Sequence, residues 1–284
     1  MKSKKIIVIG GPTASGKTSL SLQIAKDIHG QVVNADAIQV YQDLQILSAR
    51  PSLDEQADVP HHLFGYVDAW TSYSVQNWLT DVSQVLPELS APVFVGGTGF
   101  YLDALINGLS PIPDIPFEIR EKVRKMPMAE VKSLVKEAMF TDSQRLRRAL
   151  EVQLATGKAL TYFQKLPRKK IVTGDFCLIH LLPPRDQIYA NCETRLVSML
   201  QQGMISEVQN LREMRADGGV MHAIGVPEIC RFLDGQITKQ EMMQQILLAT
   251  RHYAKRQMTW FRHQGKPDII LNSPKVPENK GIIL

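Results

Sequence analysis

An α/β fold, with a parallel sheet and crossover helices interrupted by a small helical insertion, is predicted by three observations. A β-branched apolar run at residues 5–10 ends in Gly10-Gly11. Strand and helix patterns then alternate as far as Gly96-Gly97. Finally, Pro111, Pro113 and Pro116 fall within six residues, where the texture of the sequence changes. The 284 residues, 44% of them hydrophobic, are enough for one large or two modest domains, each with its own core.

Each element has its own justification. Residues 5–10 are apolar without alternation, as a parallel strand buried on both faces requires. From Lys17 to Ile28, Leu20, Ile24 and Ile28 repeat on one helical face. Val32-Val33 forms a short second strand ending near Asp36, a helix is expected over 74–86, and Pro92–Val95 gives a third strand that stops at Gly96-Gly97. Beyond the prolines, 117–139 and 142–156 read as helical and basic. Phe176–Leu182 returns as a strand, helices follow at 186–201, 204–215 and 238–262, and Asp268–Leu271 is a last short strand. The core is expected over 1–113 and 141–284, and the insertion over 114–140.

Composition narrows the class. Lys and Arg number 33 against 28 Asp and Glu, a net charge of +5, and the balance excludes a disordered or collagen-like chain. Three scattered cysteines, Cys177, Cys192 and Cys230, make neither a disulfide framework nor a paired zinc site, and they point to a reduced, cytoplasmic protein. No apolar run reaches the roughly 18–20 residues that span a bilayer. The run after Lys2-Ser3-Lys4-Lys5 leads into a glycine loop rather than a signal cleavage site. Charge is uneven: residues 1–113 carry a balance of −4 and residues 114–284 of +9, densest over 141–175. Such asymmetry fits either a polyanion-binding half or a solvated basic face.

The sharpest motif is Gly11-Pro12-Thr13-Ala14-Ser15-Gly16-Lys17-Thr18, which matches G-x-x-x-x-G-K-[ST] between a strand and a helix. Glycines let backbone amides curl round a phosphate, and the helix N-terminus adds partial positive charge. Lys17 reaches terminal phosphate oxygens, and the Thr18 hydroxyl can ligate Mg²⁺. The fold class is therefore α/β with a P-loop NTPase-like parallel sheet core and a small all-helical insertion domain. An NTPase also needs an apolar strand ending in Asp, but Pro92–Val95 runs into Gly96-Gly97-Thr98-Gly99. The nearest acid is Asp36 in Asn34-Ala35-Asp36-Ala37, able to hold Mg²⁺, act as a general base, or cap a turn.

Seven blocks in order carry a resemblance. They are Gly11–Thr18, Asn34–Tyr41, Pro60-His61-His62-Leu63, Tyr73-Ser74-Val75, Gly96–Tyr101, Asp142–Val152 leading to Thr156-Gly157-Lys158, and Thr250–Trp260. Together they resemble the tRNA dimethylallyltransferases, also called tRNA isopentenyltransferases, over most of the chain. The resemblance implies transfer of a dimethylallyl group from dimethylallyl diphosphate to N6 of the adenosine 3′ of a tRNA anticodon. It further implies Mg²⁺ as cofactor and a monomeric enzyme. The loop Gly11–Thr18, with Lys17 and Arg185, would then hold the leaving diphosphate, and Asp36 would be the general base.

By the same resemblance, Asp36, Ala37, Ile38 and Gln39 line the pocket of a flipped-out adenine. Gln39 offers its amide to the base edge, and Thr98 is either a polar contact there or a cap on the next helix. Arg120 and the run Gln144, Arg145, Leu146, Arg147 and Arg148 would touch tRNA. Arg185 is alternatively a partner in a salt bridge at a helix start. Arg251, Lys255 and Arg256 either face the substrates or pair with acids, and Trp260 and Phe261 are expected in the core. The sequence departs from the family at Ala37, where Ser is common, in a short insertion, and at Val226-Pro227, which replace a Tyr and a basic residue. Rival readings are a small-molecule or nucleoside kinase using ATP, adenylate isopentenyltransferase, and an RNA-binding module with a relic nucleotide site.

Overall fold

The computed structural model describes residues 5–135, 140 and 142–275. Two compact units divide the chain, one made of Met1–Ile106 with Ile171–Leu284 and the other of Asn107–Lys170. Among the described residues the first holds six parallel strands: β1 (Lys5–Gly10), β2 (Gln31–Asn34), β3 (His61–His62), β4 (Pro92–Gly96), β5 (Asp175–Leu181) and β6 (Ile269–Leu271), in the order β3-β2-β4-β1-β5-β6. Ile6–Gly10 are buried throughout, which is why β1 reads as an unbroken apolar run.

Among the described residues up to Asn107 the chain forms four α-helices: α1 (Lys17–Asp27), α2 (Leu53–Asp58), α3 (Val75–Val85) and α4 (Gly99–Asn107). Leu20 and Ile24 of α1 cover Ile7, Ile9, Val93, Val95, Ile179 and Leu181 on one face of the sheet. α3 starts at a capping box, with Ser74 and Asn77 satisfying each other's backbone amides. It buries Trp78, whose indole N–H donates to the Asn34 carbonyl at 2.8 Å and whose ring meets Phe94 and Tyr101. The indole thus fixes the end of β2, next to Asp36.

The second unit contains α5 (Phe117–Lys125), α6 (Met128–Leu134), α7 (Ser143–Thr156) and α8 (Leu160–Gln164). It is wider than the expected 114–140. A two-way pairing of Leu109 with Lys169, at 3.1 and 2.8 Å, closes its base. α7 and α8 share its cores through Leu146, Leu150, Val152 and Phe163. The helix expected over 117–139 is broken at Met126-Pro127, since Pro127 has no N–H to donate and pushes Met126 into extended backbone. Residues 136–139 of that expectation lie outside the described residues.

The chain returns to the sheet unit with α9 (Arg185–Gln202), α10 (Met204–Glu213), α11 (Val226–Leu233) and α12 (Lys239–His263). These helices build a second core with Val40, Tyr41 and Leu44 through Leu211, Val226, Ile229 and Met242. Val226-Pro227 open α11: Pro stands in its first turn, where a missing N–H costs nothing, and Glu228 accepts from the Gly225 amide at 3.0 Å. Among the described residues no helix is long and apolar enough to cross a membrane.

Trp78→Ala is expected to lower stability by about 3–5 kcal/mol. Trp78→Phe should cost about 1–3 kcal/mol, because the Asn34 carbonyl is left buried without its donor. Urea midpoints of the two variants measure the difference.

Candidate active site

The parallel register sets the geometry. Gly10 is level with Gly96 and with His180, and Asn34 with Val95, so the segments after β1, β2 and β4 emerge side by side at the carboxyl edge of the sheet. The first is the glycine loop. Gly16 has φ of 91°, a left-handed conformation suited to Gly, and delivers the chain into α1. Ala14 is also left-handed, at φ 60°. That strained turn is held by Asn191, whose side-chain amide donates to the Ala14 carbonyl at 2.9 Å, and by packing of Ala14 against the cluster of Ile188, Cys192, Ala254 and Met258. The Ser15 hydroxyl is buried and has no hydrogen-bond partner among the described residues, a donor suited to an acceptor oxygen.

Lys17 is half-buried, and its ammonium donates to the Pro12 carbonyl at 2.6 Å. Desolvation brings its pKa down from 10.5 to about 8; the Asp36 carboxylate opposes the shift and the Arg195 guanidinium adds to it. Arg195 lies against the same loop, donating to the Thr13 hydroxyl at 3.0 Å, and burial lowers its pKa as well. Two cations therefore crowd one loop with a single nearby carboxylate. A polyphosphate anion would relieve that imbalance.

Asp36 is placed by its neighbours. Asn34 accepts from the Asp36 amide at 2.8 Å and donates to the carbonyls of Asp36 and Leu63 at 3.1 and 3.0 Å. Oδ1 of Asp36 accepts from the Ile38 amide at 2.9 Å, and Oδ2 lies against Gly97. A Cβ on Gly97 would stand 2.5 Å from Nε2 of Gln257, so only glycine permits this approach. The Thr98 hydroxyl accepts from the Ala37 amide at 3.3 Å and so ties the second segment to the third.

Two residues of α12, missed in the sequence, complete the assembly. Gln257, buried, accepts from the Thr13 amide at 2.8 Å and donates to the Gly97 carbonyl at 2.7 Å, bridging the glycine loop to the Gly-Gly-Thr-Gly turn. The Tyr253 side chain lies near Thr98 and Gln257, and burial together with the Asp36 charge raises its pKa. Arg195 and Asn191 gave no motif, and their helical faces do not name a neighbour; Gln257 and Tyr253 lie inside the block Thr250–Trp260, which carried the resemblance without singling them out.

The structure brings Gly11–Thr18, Asp36, Ala37 and Thr98 together at the carboxyl edge of the sheet. Gln39 is different: its amide donates to the carbonyls of Ser48 and Ala49, at 3.1 and 3.0 Å, so its NH₂ is spent on the chain's own turn. Arg185 is exposed at the start of α9 and stacks over Tyr189, with Arg251 on the same ring; Arg251 also pairs with Glu193. Phe261 is core, as expected, and Trp260 is half-buried.

The helical run needs correction. Leu146 is buried among Val123, Val131 and Leu150, so it cannot meet an RNA. Arg147 donates to the carbonyls of Val123 and of Met126, the latter at 3.0 Å, closing the end of α5. Arg148 pairs with Glu151 at 3.2 Å. Arg120, Gln144 and Arg145 are exposed.

Among the described residues no three His, Cys, Asp or Glu side chains cluster as a metal cage. The oxygens at hand, the Thr18 hydroxyl and the Asp36 carboxylate, fit Mg²⁺, which takes one or two protein ligands and fills its shell with water and phosphate.

The family model described as IPP transferase matches residues 39–264, and one described as isopentenyl transferase matches residues 4–60. A tRNA dimethylallyltransferase of Rhizobium etli is 46% identical over 277 residues, covering 91% of this chain and 93% of that protein. One from Sphingopyxis alaskensis is 44% identical over 274 residues, covering 90% and 89%. Among solved structures, the full-length tRNA isopentenylpyrophosphate transferase of Bacillus halodurans superposes with a TM-score of 0.72 at 29% identity, over 99% of this chain and 93% of that one. A eukaryotic dimethylallyltransferase acting on tRNA gives a TM-score of 0.78 at 26% identity, over 95% and 74%.

The depressed Lys17 pKa has a definite sign. Between about pH 8 and 10.5 the unfolded chain holds a proton on Lys17 that the folded chain does not, so stability rises with pH across that window. Lys17→Met is expected to remove this rise, on the order of 3 kcal/mol, in melting curves at pH 7 and pH 10 compared with the unsubstituted protein. Gln257→Leu is expected to weaken binding of inorganic diphosphate about 10-fold by calorimetric titration, because the Thr13 amide loses its acceptor.

Proposed function

The chain belongs to the IPP transferase family, whose members named above modify tRNA by prenyl transfer, and we propose that it moves a dimethylallyl group from dimethylallyl diphosphate to N6 of the adenosine immediately 3′ of a tRNA anticodon. The observation that carries this reading is the meeting of Asp36 with a phosphate loop that holds two desolvated cations, Lys17 and Arg195. An NTPase would have an acid at the end of β4, where this chain has Gly96-Gly97. The curated relatives that match over nine-tenths of the chain are named for tRNA, which favours tRNA over free adenylate as acceptor.

In this mechanism the allylic C1–O bond breaks with its electron pair leaving on the diphosphate. The amides of Ala14–Thr18, the Ser15 hydroxyl, Lys17 and Arg195 face the charge as it grows, and they interact more strongly with the departing diphosphate than with the ester. Mg²⁺, held by Thr18 and the phosphate oxygens, would neutralise part of the same charge. The adenine N6 attacks C1, and its proton passes to Oδ2 of Asp36. Asn34 and the Ile38 amide orient that carboxylate, and Ala37, Ile38 and Thr98 border the base. The Gln39 amide serves indirectly, by fixing the turn at Ser48-Ala49.

Adenine nitrogen is a poor nucleophile, so much of the rate comes from positioning a flipped-out base. In the helical unit, Arg120, Gln144 and Arg145 are the exposed polar side chains offered to RNA. Arg185, stacked on Tyr189, whose ring packs against the same core cluster as Ala14, is offered to the diphosphate. The enzyme acts as a cytoplasmic monomer.

The test combines purified protein, Mg²⁺, dimethylallyl diphosphate and an unmodified anticodon stem-loop, read by mass spectrometry for one added dimethylallyl group. ATP replaces the isoprenoid in the control. Addition only with the isoprenoid is expected, and phosphate transfer from ATP would overturn the reading. Asp36→Ala is expected to lower turnover about 10²–10⁴-fold while leaving stem-loop affinity within twofold.

A further inference from the structure

The segment from Asp36 to Arg50, which carries the candidate base and the wall of its pocket, contains no strand or helix. Its peptide groups must therefore find partners one by one, since a buried group left unpaired costs as much as a lost hydrogen bond. Many are met within the segment. The Arg50 guanidinium donates to the carbonyls of Tyr41 and Gln42 at 2.9 and 3.3 Å, and the Gln39 amide to those of Ser48 and Ala49. The amides of Gln45, Ile46 and Leu47 are different. All three donate to one carboxylate, that of Glu207 on α10, which lies 160 to 162 residues along the chain. Its Oε1 accepts from Gln45 and Ile46 at 2.6 and 2.7 Å, and its Oε2 accepts from Leu47 at 3.0 Å.

Hydrogen bonds to an ionised acceptor are about twice as strong as neutral ones, and three of them converge here on a half-buried group. Taking a carboxylate out of water costs much of what those bonds return, so the gain is chiefly in geometry. The geometry is a demanding one. Ala49 has left-handed backbone at φ 47°, a conformation that persists only where the surroundings enforce it. Leu47 is seated against Gly225 before α11, where an added Cβ would come within 2.8 Å of it. The turn Gln45–Ala49 is thus pinned by Glu207 on the side of α10 and by Gln39 on the side of the pocket. Gln39 directly follows Ile38, whose amide donates to Oδ1 of Asp36 at 2.9 Å. A continuous line of contacts joins Glu207 to the carboxylate of Asp36.

We propose that Glu207 is a positioning residue of the transfer reaction: it acts through the turn Gln45–Ala49, Gln39 and Ile38 to set where the Asp36 carboxylate meets the attacking nitrogen. The inference rests on the transferase reading and adds to it a residue outside the pocket that aims the base. Displacing a reacting group by about 1 Å costs on the order of 10²-fold in rate, so a turn that re-seats by a fraction of that distance is felt in the chemistry. Glu207→Gln is the sharpest probe. The new side chain keeps the shape but has one acceptor oxygen, and its NH₂ would face a backbone N–H, so the three amides cannot all be satisfied.

The test is a double-mutant cycle in single-turnover transfer to the anticodon stem-loop, with the unsubstituted protein, Glu207→Gln, Asp36→Ala and the double variant. Glu207→Gln alone is expected to lower the transfer rate about 10–30-fold, with stem-loop KM and inorganic diphosphate affinity within twofold. Added to Asp36→Ala, the same substitution should cost less than twofold, because the group it positions is gone. Equal losses in both backgrounds would overturn the proposal, since a general loosening does not depend on Asp36. Hydrogen exchange supplies a readout apart from activity: the peptide over 36–50 should exchange faster in Glu207→Gln while the glycine-loop peptide does not change. Unaltered exchange over 36–50 would also overturn it. Should Glu207→Gln fail to fold, Glu207→Asp, whose shorter carboxylate reaches fewer amides, enters the same cycle. No dimethylallyl addition by the unsubstituted protein would remove the transferase reading and this one with it, whereas normal addition with equal losses removes the positioning role alone.

Discussion

A parallel register that ends β1, β2 and β4 level with one another is the constraint on which the site depends. Each strand stops at a residue that lets the chain turn sharply, Gly10 before the phosphate loop, Asn34 before Asp36, and Gly96 before Gly97-Thr98. Level ends alone would leave three independent loops. They become one surface because polar groups cross between them: the Ala37 amide to Thr98, the Trp78 indole to Asn34, and Gln257 to both Thr13 and Gly97. Gln257 is the farthest in sequence from what it joins, 244 residues from Thr13. Buried hydrogen bonds of this kind contribute little net energy while made and cost about 1–3 kcal/mol when one partner is lost. They specify the geometry more than they stabilise the fold.

The charges follow the opposite logic. Lys17 and Arg195 are both desolvated beside one loop, each lowered in pKa, with Asp36 as the nearest compensating charge. This arrangement is held against its own electrostatics by the packing of α1 and α9, and the strained Ala14 adds to the cost. Electrostatic preorganisation has this signature: the cost of gathering cations is met on folding, so that no reorganisation remains when an anion forms between them. Asp36 has a double part here, since it steadies Lys17 through space and presents Oδ2 beside Gly97.

Much of this was legible in the sequence where chemistry and spacing are local. The loop Gly11–Thr18, the acid at the end of the second strand, and the return strand at 176–182 each follow from short patterns whose meaning does not depend on distant residues. What was hidden was tertiary. Arg195 and Asn191 lie on a helix whose periodicity shows a buried face without saying that the glycine loop covers it, and they reach partners 182 and 177 residues away. α4 begins inside Gly97-Thr98-Gly99, which reads as loop by composition. The insertion was drawn from its prolines, yet Pro111–Pro116 sit inside the helical unit, whose true edge is the pairing of Leu109 with Lys169. Basic residues at 144–148 looked alike in sequence. Packing sorted them into an exposed Arg145, an Arg147 committed to the end of α5, and an Arg148 paired with Glu151.

The departures from the family pattern show which contacts the backbone carries. Where the resemblance implies Ser, Ala37 has no hydroxyl, but it is the amide of Ala37 that meets Thr98, and any residue except proline provides an amide. Val226-Pro227 likewise stand where the resemblance implies a Tyr and a basic side chain. In their place stand a residue fully buried in the second core and a proline in the first turn of α11, a position that favours it. Both changes keep the element and give up a side chain. The substitutions therefore fall on the surroundings of the site, while Lys17, Asp36, Thr98 and Gln257, whose side chains themselves make the connections, cannot be replaced by backbone.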